Sequence, residues 1–585
     1  MSLRASLLPK WQRSLGTVYR STKSLQHGLV PLTSSPTRQY ATLMADGQGL
    51  RDDKREKVVI LGSGWAGYVL SRRLDTQKYR VVVISPRSYF VFTPLLNDTT
   101  VGTLEFRNVL ESVRKRNSKV EFVQGWADDV NFADKLVLVE PSVLDPDVGH
   151  ALTGPRKPNE QQTTNGYSKD LQPSGTGTTS GYTKHLQMGG TGKDQVPTFP
   201  IHYDKLIIAV GTYSQTFNTK GVRENAMFLK DVRDAVAIRR RILELFELAL
   251  LPIIPEETKK YLLHFAIVGG GPTGMEFAAC LSDLIRDDIS RIYPQLLKYI
   301  RISLYDVAPK VLPMFDATLA DYAVKHYKRQ NIEIKTSHQV EELRKGFPND
   351  PEAVKNQDKQ VKGRVYTIRT KQEGDVGIGM CVWSTGAMKN PFVSKALNHV
   401  RRFPTHSAHI TQGEVTDPMQ RQWIIQRDPK TGVILVDDHF RVNLTTQAED
   451  GGEDNVPKAY MKDVFALGDT TKLMSGSLPA TAQVANQQAN WLGKTLNRHP
   501  DPESYGQVPG FTFKNLGALT YLGGAKAVLQ GASSNGGVSR GLKGWIAYLV
   551  WRGAYLTMTL SWRNKFLVPV QWLTVKIFGR DMSRF

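Results

Sequence analysis

A chain of 585 residues with 40% apolar content is long enough to form two or three domains with full hydrophobic cores. Its formal net charge of +21 makes nucleic acid one candidate partner, but the basic excess is concentrated at the two ends of the chain. The only two cysteines, Cys280 and Cys381, are isolated, which excludes a disulfide framework, and we expect both to pack in the core. No metal-ligand pattern is present, and no metal site is predicted.

The first 45 residues contain six basic and no acidic side chains and are rich in serine and threonine. This composition is typical of an amphipathic mitochondrial presequence, and Arg38 precedes the predicted cleavage site near Tyr40. The alternative is a disordered basic tail.

The first chemical motif follows the apolar run 57–61 and precedes a predicted helix over residues 68–74. It fits G-x-G-x-x-G, in which glycines provide a tight turn, close approach to a diphosphate and helix–strand packing. A second strand is predicted over residues 79–84. Ser85 stands at the position where an acid normally holds the ribose. Arg87, two residues later, would reach adenine or phosphate. The predicted FAD contacts here are Gly62, Gly64, Trp65, Ala66, Gly67, Ser85, Arg87 and Thr93.

A second motif of the same form lies about two hundred residues later, after the apolar run 265–268 and before a predicted helix over residues 275–285. Two such motifs in one chain predict two dinucleotides, one held as flavin and one exchanged as nicotinamide. Between them, residues 141–197 are dominated by small and polar side chains and are predicted to be a disordered insertion. The predicted NADH contacts are Gly269, Gly271, Pro272, Thr273, Gly274, Asp306, Thr385 and Gly386.

Asp306 ends the strand predicted over residues 301–305, at the place of the acid that accepts hydrogen bonds from a ribose. A carboxylate there would repel a 2′-phosphate, which favours NADH over NADPH. A turn or cap role before Pro309 is the alternative. Glu276, at the start of the second helix, is either a carboxylate stabilised by the helix dipole or a polar group beside the nicotinamide or flavin.

Asp469 follows the apolar run 464–467 and is predicted to accept a hydrogen bond from the ribityl chain of the flavin. The order of the strands indicates that the first dinucleotide domain is interrupted by insertion of the second.

The last 46 residues combine basic side chains with tryptophan and tyrosine, without an apolar run long enough to span a bilayer. We expect Arg552 and Arg563 to share one helical face and Pro569 to open a second short helix. Such a segment is predicted to lie in the lipid headgroup region. The alternative is an amphipathic helix packed on this protein's own core or on a second subunit.

The predicted fold class is therefore α/β: two Rossmann-like dinucleotide-binding domains, as in two-dinucleotide-binding flavoproteins, plus a C-terminal amphipathic helical segment that anchors at the membrane. The predicted boundaries are 1–40 for the presequence, 55–230 for the first part of the FAD domain, 255–400 for the NADH domain, 401–535 for the return to the FAD domain with the quinone site, and 540–585 for the segment at the membrane surface, which also serves dimerisation.

Six runs, at residues 61–65, 85–96, 268–276, 465–469, 478–485 and 516–523, resemble the fungal mitochondrial type II (alternative) NADH:ubiquinone oxidoreductases. The resemblance covers roughly residues 55–585 apart from the polar insertions. It implies a single-subunit, rotenone-insensitive enzyme of the respiratory chain with non-covalent FAD and no proton pumping. It also implies peripheral attachment to the inner membrane, and a homodimer is expected.

The resemblance also implies roles for individual residues. Thr481, Ala482 and Gln483 would line the flavin ring on the quinone side, and Tyr521 would stand at the quinone entrance. Glu276 and Gln483 are the implied catalytic residues. Asn486 stands where some relatives have a histidine, so a proton relay through that side chain is not expected.

The predicted reaction has two halves, hydride transfer from NADH to FAD and two-electron transfer to ubiquinone. A sulfide:quinone reductase is the first alternative, although Cys280 and Cys381 look misplaced for it. A protein similar to apoptosis-inducing factor, in which FAD and NADH serve as a switch, is the second. Nucleic-acid binding is not expected.

Overall fold

The computed structural model describes residues 53–115, 118–143, 198–348, 361, 363–397, 400, 402–413, 417–446, 456–501, 508–531 and 541–583. The predicted presequence, its cleavage site near Tyr40 and nearly all of the 141–197 insertion lie outside these residues. The described residues belong to one compact unit, which begins at residue 53.

The first dinucleotide sheet begins with a parallel core of buried strands. Residues 58–61 of its central strand are all buried because helices and other segments cover both faces of the sheet. The elements in chain order are β1 (Glu56–Leu61), α1 (Trp65–Arg73), β2 (Tyr79–Ser85), β3 (Tyr89–Val91), α2 (Leu96–Thr100), β4 (Leu110–Ser112), β5 (Glu121–Asn131), β6 (Leu136–Pro141), β7 (Phe199–His202), β8 (Lys205–Ile208) and β9 (Thr212–Ser214). Strand β1 lies parallel between β2 and β8, as a Rossmann-like unit requires.

A second parallel sheet, in the order β10-β17-β11-β12-β13, repeats this arrangement around the second glycine motif. Its elements are α3 (Val222–Asn225), β10 (Met227–Phe228), α4 (Val232–Leu250), α5 (Glu256–Leu262), β11 (His264–Val268), α6 (Pro272–Leu284), α7 (Ser290–Ile292), β12 (Arg301–Tyr305), α8 (Ala317–Arg329), β13 (Ile332–Lys335), β14 (Val340–Lys345), β15 (Tyr366–Thr370), β16 (Gly374–Ile378), β17 (Met380–Trp383), β18 (Ala387–Lys389) and α9 (Pro391–Lys395). A π-helical turn, Ile285–Ile289, joins α6 to α7.

The chain then returns to the first sheet, because β23 pairs in parallel with β8. The returning elements are β19 (Ala408–Gln412), β20 (Trp423–Ile425), β21 (Ile434–Val436), β22 (Arg441–Thr446), β23 (Lys458–Ala466), β24 (Thr471–Leu473) and α10 (Ala482–Arg498). The full order of the first sheet is β24-β21-β22-β23-β8-β1-β2-β5-β6-β7, with β19 on β23 and β20 on β22. The α/β fold predicted from the sequence is confirmed.

A small antiparallel sheet and two helices complete the chain: β25 (Ala518–Gly523), β26 (Lys526–Gln530), β27 (Leu542–Gly544), α11 (Trp545–Met558) and α12 (Trp562–Phe578). The inner faces of the helices bury Trp551 and Trp572, while Trp562, Phe566 and Phe578 are 86%, 70% and 81% exposed. The predicted C-terminal helical segment is therefore present, and it exposes aromatic side chains.

Two details predicted for this segment are wrong. Pro569 lies inside α12 rather than opening it, since the Ser561 hydroxyl accepts the Asn564 N–H at 3.2 Å and starts the helix earlier. Arg552 and Arg563 do not share a helical face, because they lie on α11 and α12, and the helix breaks between Met558 and Trp562.

Candidate functional site

A cleft of about 550 Å³ opens at the carboxyl ends of the parallel strands of the first sheet. In open α/β sheets this is the end at which ligands bind. Residues of both glycine motifs contribute to its walls. Among the predicted contacts it is lined by Gly62, Gly64, Trp65, Ala66, Ser85, Arg87, Thr93, Thr273, Thr385, Gly386, Asp469, Thr481 and Ala482.

The first glycine motif has the geometry of a dinucleotide-binding turn. Gly62 has φ +105°, and a Cβ on it would lie 2.3 Å from the Ala209 carbonyl oxygen. A Cβ on Gly67 would lie 2.0 Å from the Gly62 oxygen, whereas one on Gly64 would meet nothing within 4 Å. The outer glycines therefore close the turn, and the middle one leaves open space at the N-terminus of α1, where a diphosphate would fit.

Residues after the second strand line the same wall. The Ser85 hydroxyl lies 2.9 Å from the Ser63 hydroxyl and accepts the backbone N–H of Arg87 at 3.3 Å. The Arg87 guanidinium forms an ion pair with Asp231, the N-cap residue of α4, so this cation is already partly neutralised by the protein. The Trp65 indole N–H donates to the Thr93 hydroxyl at 3.0 Å, which fixes both side chains at the mouth of the cleft.

Lys230 lines the cleft and was not singled out in the sequence. Its ammonium group donates to the carbonyl oxygen of Thr212 at 3.1 Å and to its hydroxyl at 3.2 Å. That hydroxyl lies 3.5 Å from the Asp469 carboxylate. Burial lowers the pKa of Lys230 and raises the pKa of Asp469, while the opposite charge of each favours the ionised form of the other. The sequence signal that could have identified Lys230 is its position between the end of β10 and Asp231, the N-cap residue of α4.

The N-terminal turn of α10 forms another part of the wall. The Thr481 hydroxyl caps this helix by accepting the Val484 N–H at 3.4 Å. Thr481 and Ala482 line the cleft, but Gln483 does not: its amide accepts the Leu516 N–H at 3.0 Å and donates to the Gly517 oxygen at 3.3 Å. One turn further along, Asn486 accepts hydrogen bonds from Asn490.

The second glycine motif repeats the geometry of the first. Gly269 has φ +120°, and a Cβ on Gly274 would lie 2.1 Å from the Gly269 oxygen. Thr273 reaches the cleft from the first turn of α6, but Gly269, Gly271, Pro272 and Gly274 are not among its lining residues.

Asp306 lies beside the second motif, at the end of β12. One carboxylate oxygen accepts the Gly270 N–H, and the other accepts the Ala308 N–H at 2.7 Å. The side chain therefore fixes the glycine turn in addition to any bond to a ribose, and it is not part of the cleft lining.

Glu276 lies in the second turn of α6 and is 6% exposed. Its two oxygens accept the backbone N–H of Tyr521 at 3.0 Å and the side-chain N–H of Asn97 at 3.1 Å. Burial raises its pKa to about 8, despite these hydrogen bonds. Glu276 does not line the cleft, but Thr273, about one helical turn before it, does. Its partner Asn97 likewise follows a lining residue, Thr93, by about one turn.

Tyr521 is buried under the C-terminal helices. Its hydroxyl donates to Asp283, and its ring packs on Trp551 and Tyr548, with centroids 5.2 and 5.6 Å apart. The aromatic cluster continues through Tyr555 and Trp572. This cluster lies between the helix that carries Glu276 and the exposed face of the C-terminal helices.

The two cysteines are free and buried, as predicted. Cys280 lies in α6 and Cys381 in β17, and neither lines the cleft. Within the described ranges, no group of three or more His, Cys, Asp and Glu side chains is placed to hold a metal ion. In the same part of the chain, no helix has the length and apolar character needed to cross a bilayer.

Comparison with known families gives two matches. The model of the pyridine nucleotide-disulphide oxidoreductases matches residues 56–402, and that of the NDH2 C-terminal domain matches residues 515–581. The chain is 32% identical over 540 residues to a probable NADH dehydrogenase of Dictyostelium discoideum, covering 91% of this chain and 92% of the relative. It is 30% identical over 582 residues to the external NADH-ubiquinone oxidoreductase 2, mitochondrial, of Saccharomyces cerevisiae, covering 94% and 86%.

Among solved structures, the fold is similar to that of NDH2 from Plasmodium falciparum in complex with NADH. The TM-score is 0.65 at 23% identity, covering 91% of this chain and 100% of that one.

Proposed function

The chain belongs to the pyridine nucleotide-disulphide oxidoreductase family and carries the NDH2 C-terminal domain; from this premise we propose that it is a type II NADH:ubiquinone oxidoreductase with non-covalent FAD. The observation that carries the proposal is the single cleft lined by the first glycine motif together with Thr273, Thr385 and Gly386 from the second dinucleotide domain. One dinucleotide stays in the cleft and the other enters and leaves.

The residues of the cleft fit FAD. The open space over Gly64 admits a diphosphate at the N-terminus of α1, and the ammonium group of Lys230 supplies positive charge beside the Asp469 carboxylate. When bound, FAD accepts a hydride and passes its electrons on, and the protein aligns the reactants and excludes water. Thr481 and Ala482 bring the N-terminus of α10 to the same cleft.

NADH is the proposed electron donor. The carboxylate of Asp306 would repel a 2′-phosphate, and its hydrogen bonds to Gly270 and Ala308 hold it in place. Thr273, Thr385 and Gly386 would then position the nicotinamide end of the donor within the cleft.

Ubiquinone is the proposed electron acceptor, and Glu276 the proposed proton donor to it. Reduction of a quinone to a quinol takes up two electrons and two protons. The hydride from NADH accounts for both electrons and one proton, so the protein supplies one further proton. Glu276 is buried and, with its pKa near 8, protonated at neutral pH, whereas Asn486 cannot titrate. The aromatic cluster around Tyr521 adjoins Glu276 on the side of the C-terminal helices.

Gln483 has a narrower proposed role. Its amide holds residues 516 and 517, which lead into β25 and Tyr521, so we assign it to positioning the quinone side of the site rather than to chemistry.

We propose that the enzyme works on the mitochondrial inner membrane without pumping protons. The exposed Trp562, Phe566 and Phe578 on α12 would enter the lipid interface, which brings the site to a quinone whose tail stays in the bilayer. The mitochondrial name of the yeast relative supports the location. The narrower fungal assignment stays a prediction. The homodimer is also a prediction.

The two alternatives lose support. A sulfide:quinone reductase needs cysteines beside the flavin, and neither Cys280 nor Cys381 lines the cleft. A switch protein without turnover gives no role to the buried acid Glu276 and the aromatic cluster beside it.

The test is steady-state turnover of the full chain in liposomes that contain ubiquinone. We expect repeated cycles of NADH oxidation, retention of one FAD per chain, and no acidification of the vesicle lumen. A single turnover followed by a stable NADH-bound complex would support the switch protein instead.

A further inference from the structure

Two carboxyl groups are buried where α2 packs on α6, Asp98 on α2 and Glu276 on α6. Asn97 donates to Glu276 at 3.1 Å, and the thiol of Cys280 lies 3.7 Å from a carboxylate oxygen of Asp98. Cys280 follows Glu276 by one helical turn, so two adjacent residues of α2 contact two residues one turn apart on α6. Asp98 therefore contacts α6 about one helical turn beyond Glu276, and its charge is close enough to act on the Glu276 carboxyl. Both residues are 6% exposed.

The surroundings of the two carboxyls differ. Glu276 is hydrogen-bonded by neutral groups only, an amide and a backbone N–H. Asp98 accepts the indole N–H of Trp572 at 3.2 Å, and the positive charges of Arg552 and Arg580 favour its ionised form, although burial raises its pKa. Arg552 also stacks on the Trp572 ring at 4.4 Å. Trp572 and the two arginines therefore favour the ionised form of Asp98 against the effect of burial, whereas no positive charge among the described residues acts on Glu276.

The charge of Asp98 acts on Glu276. A nearby like charge in a buried site opposes the second ionisation, so the two carboxyls titrate as one coupled system. The carboxylate of Asp98 is one of the causes that raise the pKa of Glu276 to about 8, after burial itself.

Two buried polar atoms beside Glu276 have no partner of hydrogen-bonding geometry among the described residues. These are the side-chain oxygen of Asn97, whose amide nitrogen already bonds Glu276, and the indole nitrogen of Trp551. Trp551 is 4% exposed, lies close enough to affect the pKa of Glu276, and stacks on Tyr521. The side-chain oxygen of Asn97 thus remains as an acceptor for a polar ligand next to the acid.

Titratable and charged groups on several helices and strands surround the two carboxyls. The titratable and charged groups are Cys280 and Asp283 on α6, Tyr327 on α8, Tyr521 on β25, Tyr548, Arg552 and Tyr555 on α11, and Arg580 after α12. Of these, only the two arginines carry positive charge near the carboxyls, and both act on Asp98.

We propose that Asp98 and Glu276 form an electrostatically coupled pair, in which ionised Asp98 is a positioning residue that keeps Glu276 protonated as the donor to the bound quinone. The proton leaves the Glu276 carboxyl for a quinone oxygen, and the Glu276 carboxylate regains a proton from solvent before the next cycle. This inference rests on the proposed function, because it assigns a part of the quinone half-reaction.

The test uses Asp98→Asn in the full FAD-loaded chain. Asparagine keeps acceptor and size but cannot ionise. Without the neighbouring charge the pKa of Glu276 falls, so the alkaline limit of flavin reoxidation by a short-chain quinone should move toward acid by on the order of one pH unit. Infrared spectra of the resting protein should show the band of the protonated Glu276 carboxyl disappearing at correspondingly lower pH.

Cys280→Ala is the matched control, because it removes the contact between Asp98 and the Cys280 thiol and keeps both carboxyls. We expect it to leave the alkaline limit and the infrared titration in place. If Asp98→Asn slows reoxidation equally at every pH, or leaves the infrared titration unmoved, Asp98 is only structural and the proposal is wrong. Reduction of the flavin by NADH is measured in the same samples, so failure of the proposed function is recognised separately.

Discussion

The backbone N–H of Tyr521 donates to the Glu276 carboxyl at 3.0 Å, which joins the C-terminal domain to the helix that follows the second glycine motif. The Tyr521 hydroxyl bonds Asp283 on the same helix, two turns later. One strand residue therefore fixes the buried acid and contacts the aromatic cluster under the C-terminal helices. The proposed proton donor is held by the C-terminal part of the chain, which we propose to contact the membrane.

Glu276→Gln should slow reoxidation of reduced flavin by quinone about 10²-fold or more, because the general acid is lost. In the native protein, Glu276 is protonated below its pKa of about 8, so reoxidation should be fast at neutral pH and slow as the pH rises through 8. Stopped-flow rates between pH 6 and pH 10 would measure both effects (about two pH units on either side of the pKa). Reduction by NADH should change little; a loss confined to that half-reaction would contradict the assignment.

The same carboxyl affects folding stability. Its pKa is raised from 4.5 when unfolded to about 8 when folded, so the folded state binds one more proton between these values. Its contribution to stability is therefore fully present below about pH 4.5 and is lost as the pH rises to about 8. Urea unfolding of the native protein and of Glu276→Gln across this range should show a smaller decline with pH in the variant.

Asp306→Asn should shift cofactor preference toward NADPH roughly tenfold, about 1.4 kcal/mol, because the charge that repels a 2′-phosphate is removed. Asparagine keeps an oxygen acceptor for the Gly270 N–H and loses the one for the Ala308 N–H, so the glycine turn keeps one of its two bonds to this side chain. The measurement is kcat/KM for both nucleotides. Asp316→Asn, at the N-cap of α8, is the control, and an equal effect in both variants would argue against a ribose contact at Asp306.

Lys230→Met should weaken FAD binding by about 10- to 100-fold, since a charge-assisted hydrogen bond in the cleft contributes about 1.5–3 kcal/mol. Equilibrium dialysis of FAD against the deflavinated protein gives the affinity. The control is Lys220→Met, which removes an exposed lysine that pairs with Glu342. Full FAD retention in Lys230→Met would show that the ammonium group does not act on the cofactor.

Combined Trp562→Ser, Phe566→Ser and Phe578→Ser should weaken binding to vesicles about tenfold or more, because three exposed aromatic rings no longer enter the interface. Bleaching of the flavin by NADH should be unaffected. Met419→Ser, on a different exposed surface, is the control for sedimentation with vesicles. Deleting α11 and α12 is a poorer test, since it also removes the buried Trp551 and Trp572.

The mass of the detergent-solubilised triple variant also tests the predicted homodimer. If two copies associate through α12, the native chain should have twice the mass of the variant.

The sequence predicted the parallel strands and the glycine turns well, because continuous apolar runs ending at glycines require little tertiary information. Strand β12 has the predicted bounds, residues 301–305, and α6 starts three residues earlier than expected because Pro272 and Thr273 continue the turn into the helix. The residues that determine these elements are close together in the sequence.

Contacts between distant segments could not be read from the chain. The pairing of Arg87 with Asp231, the use of the Gln483 amide by Leu516 and Gly517, and the burial of Asp98 against Trp572 join residues separated by 33 to 474 positions. Lys230 was missed for the same reason, since its role depends on Thr212 and Asp469 meeting it at one edge of the sheet.

The central claim is that a resident FAD and an exchanging nicotinamide share one cleft. Its most direct test is the absorption spectrum of the purified chain during anaerobic addition of NADH and then of a short-chain quinone. We predict a flavin spectrum with one FAD per chain, bleached by one equivalent of NADH and restored by one equivalent of quinone. A colourless protein that stays colourless after incubation with FAD, or a flavin that NADH does not bleach, would contradict it.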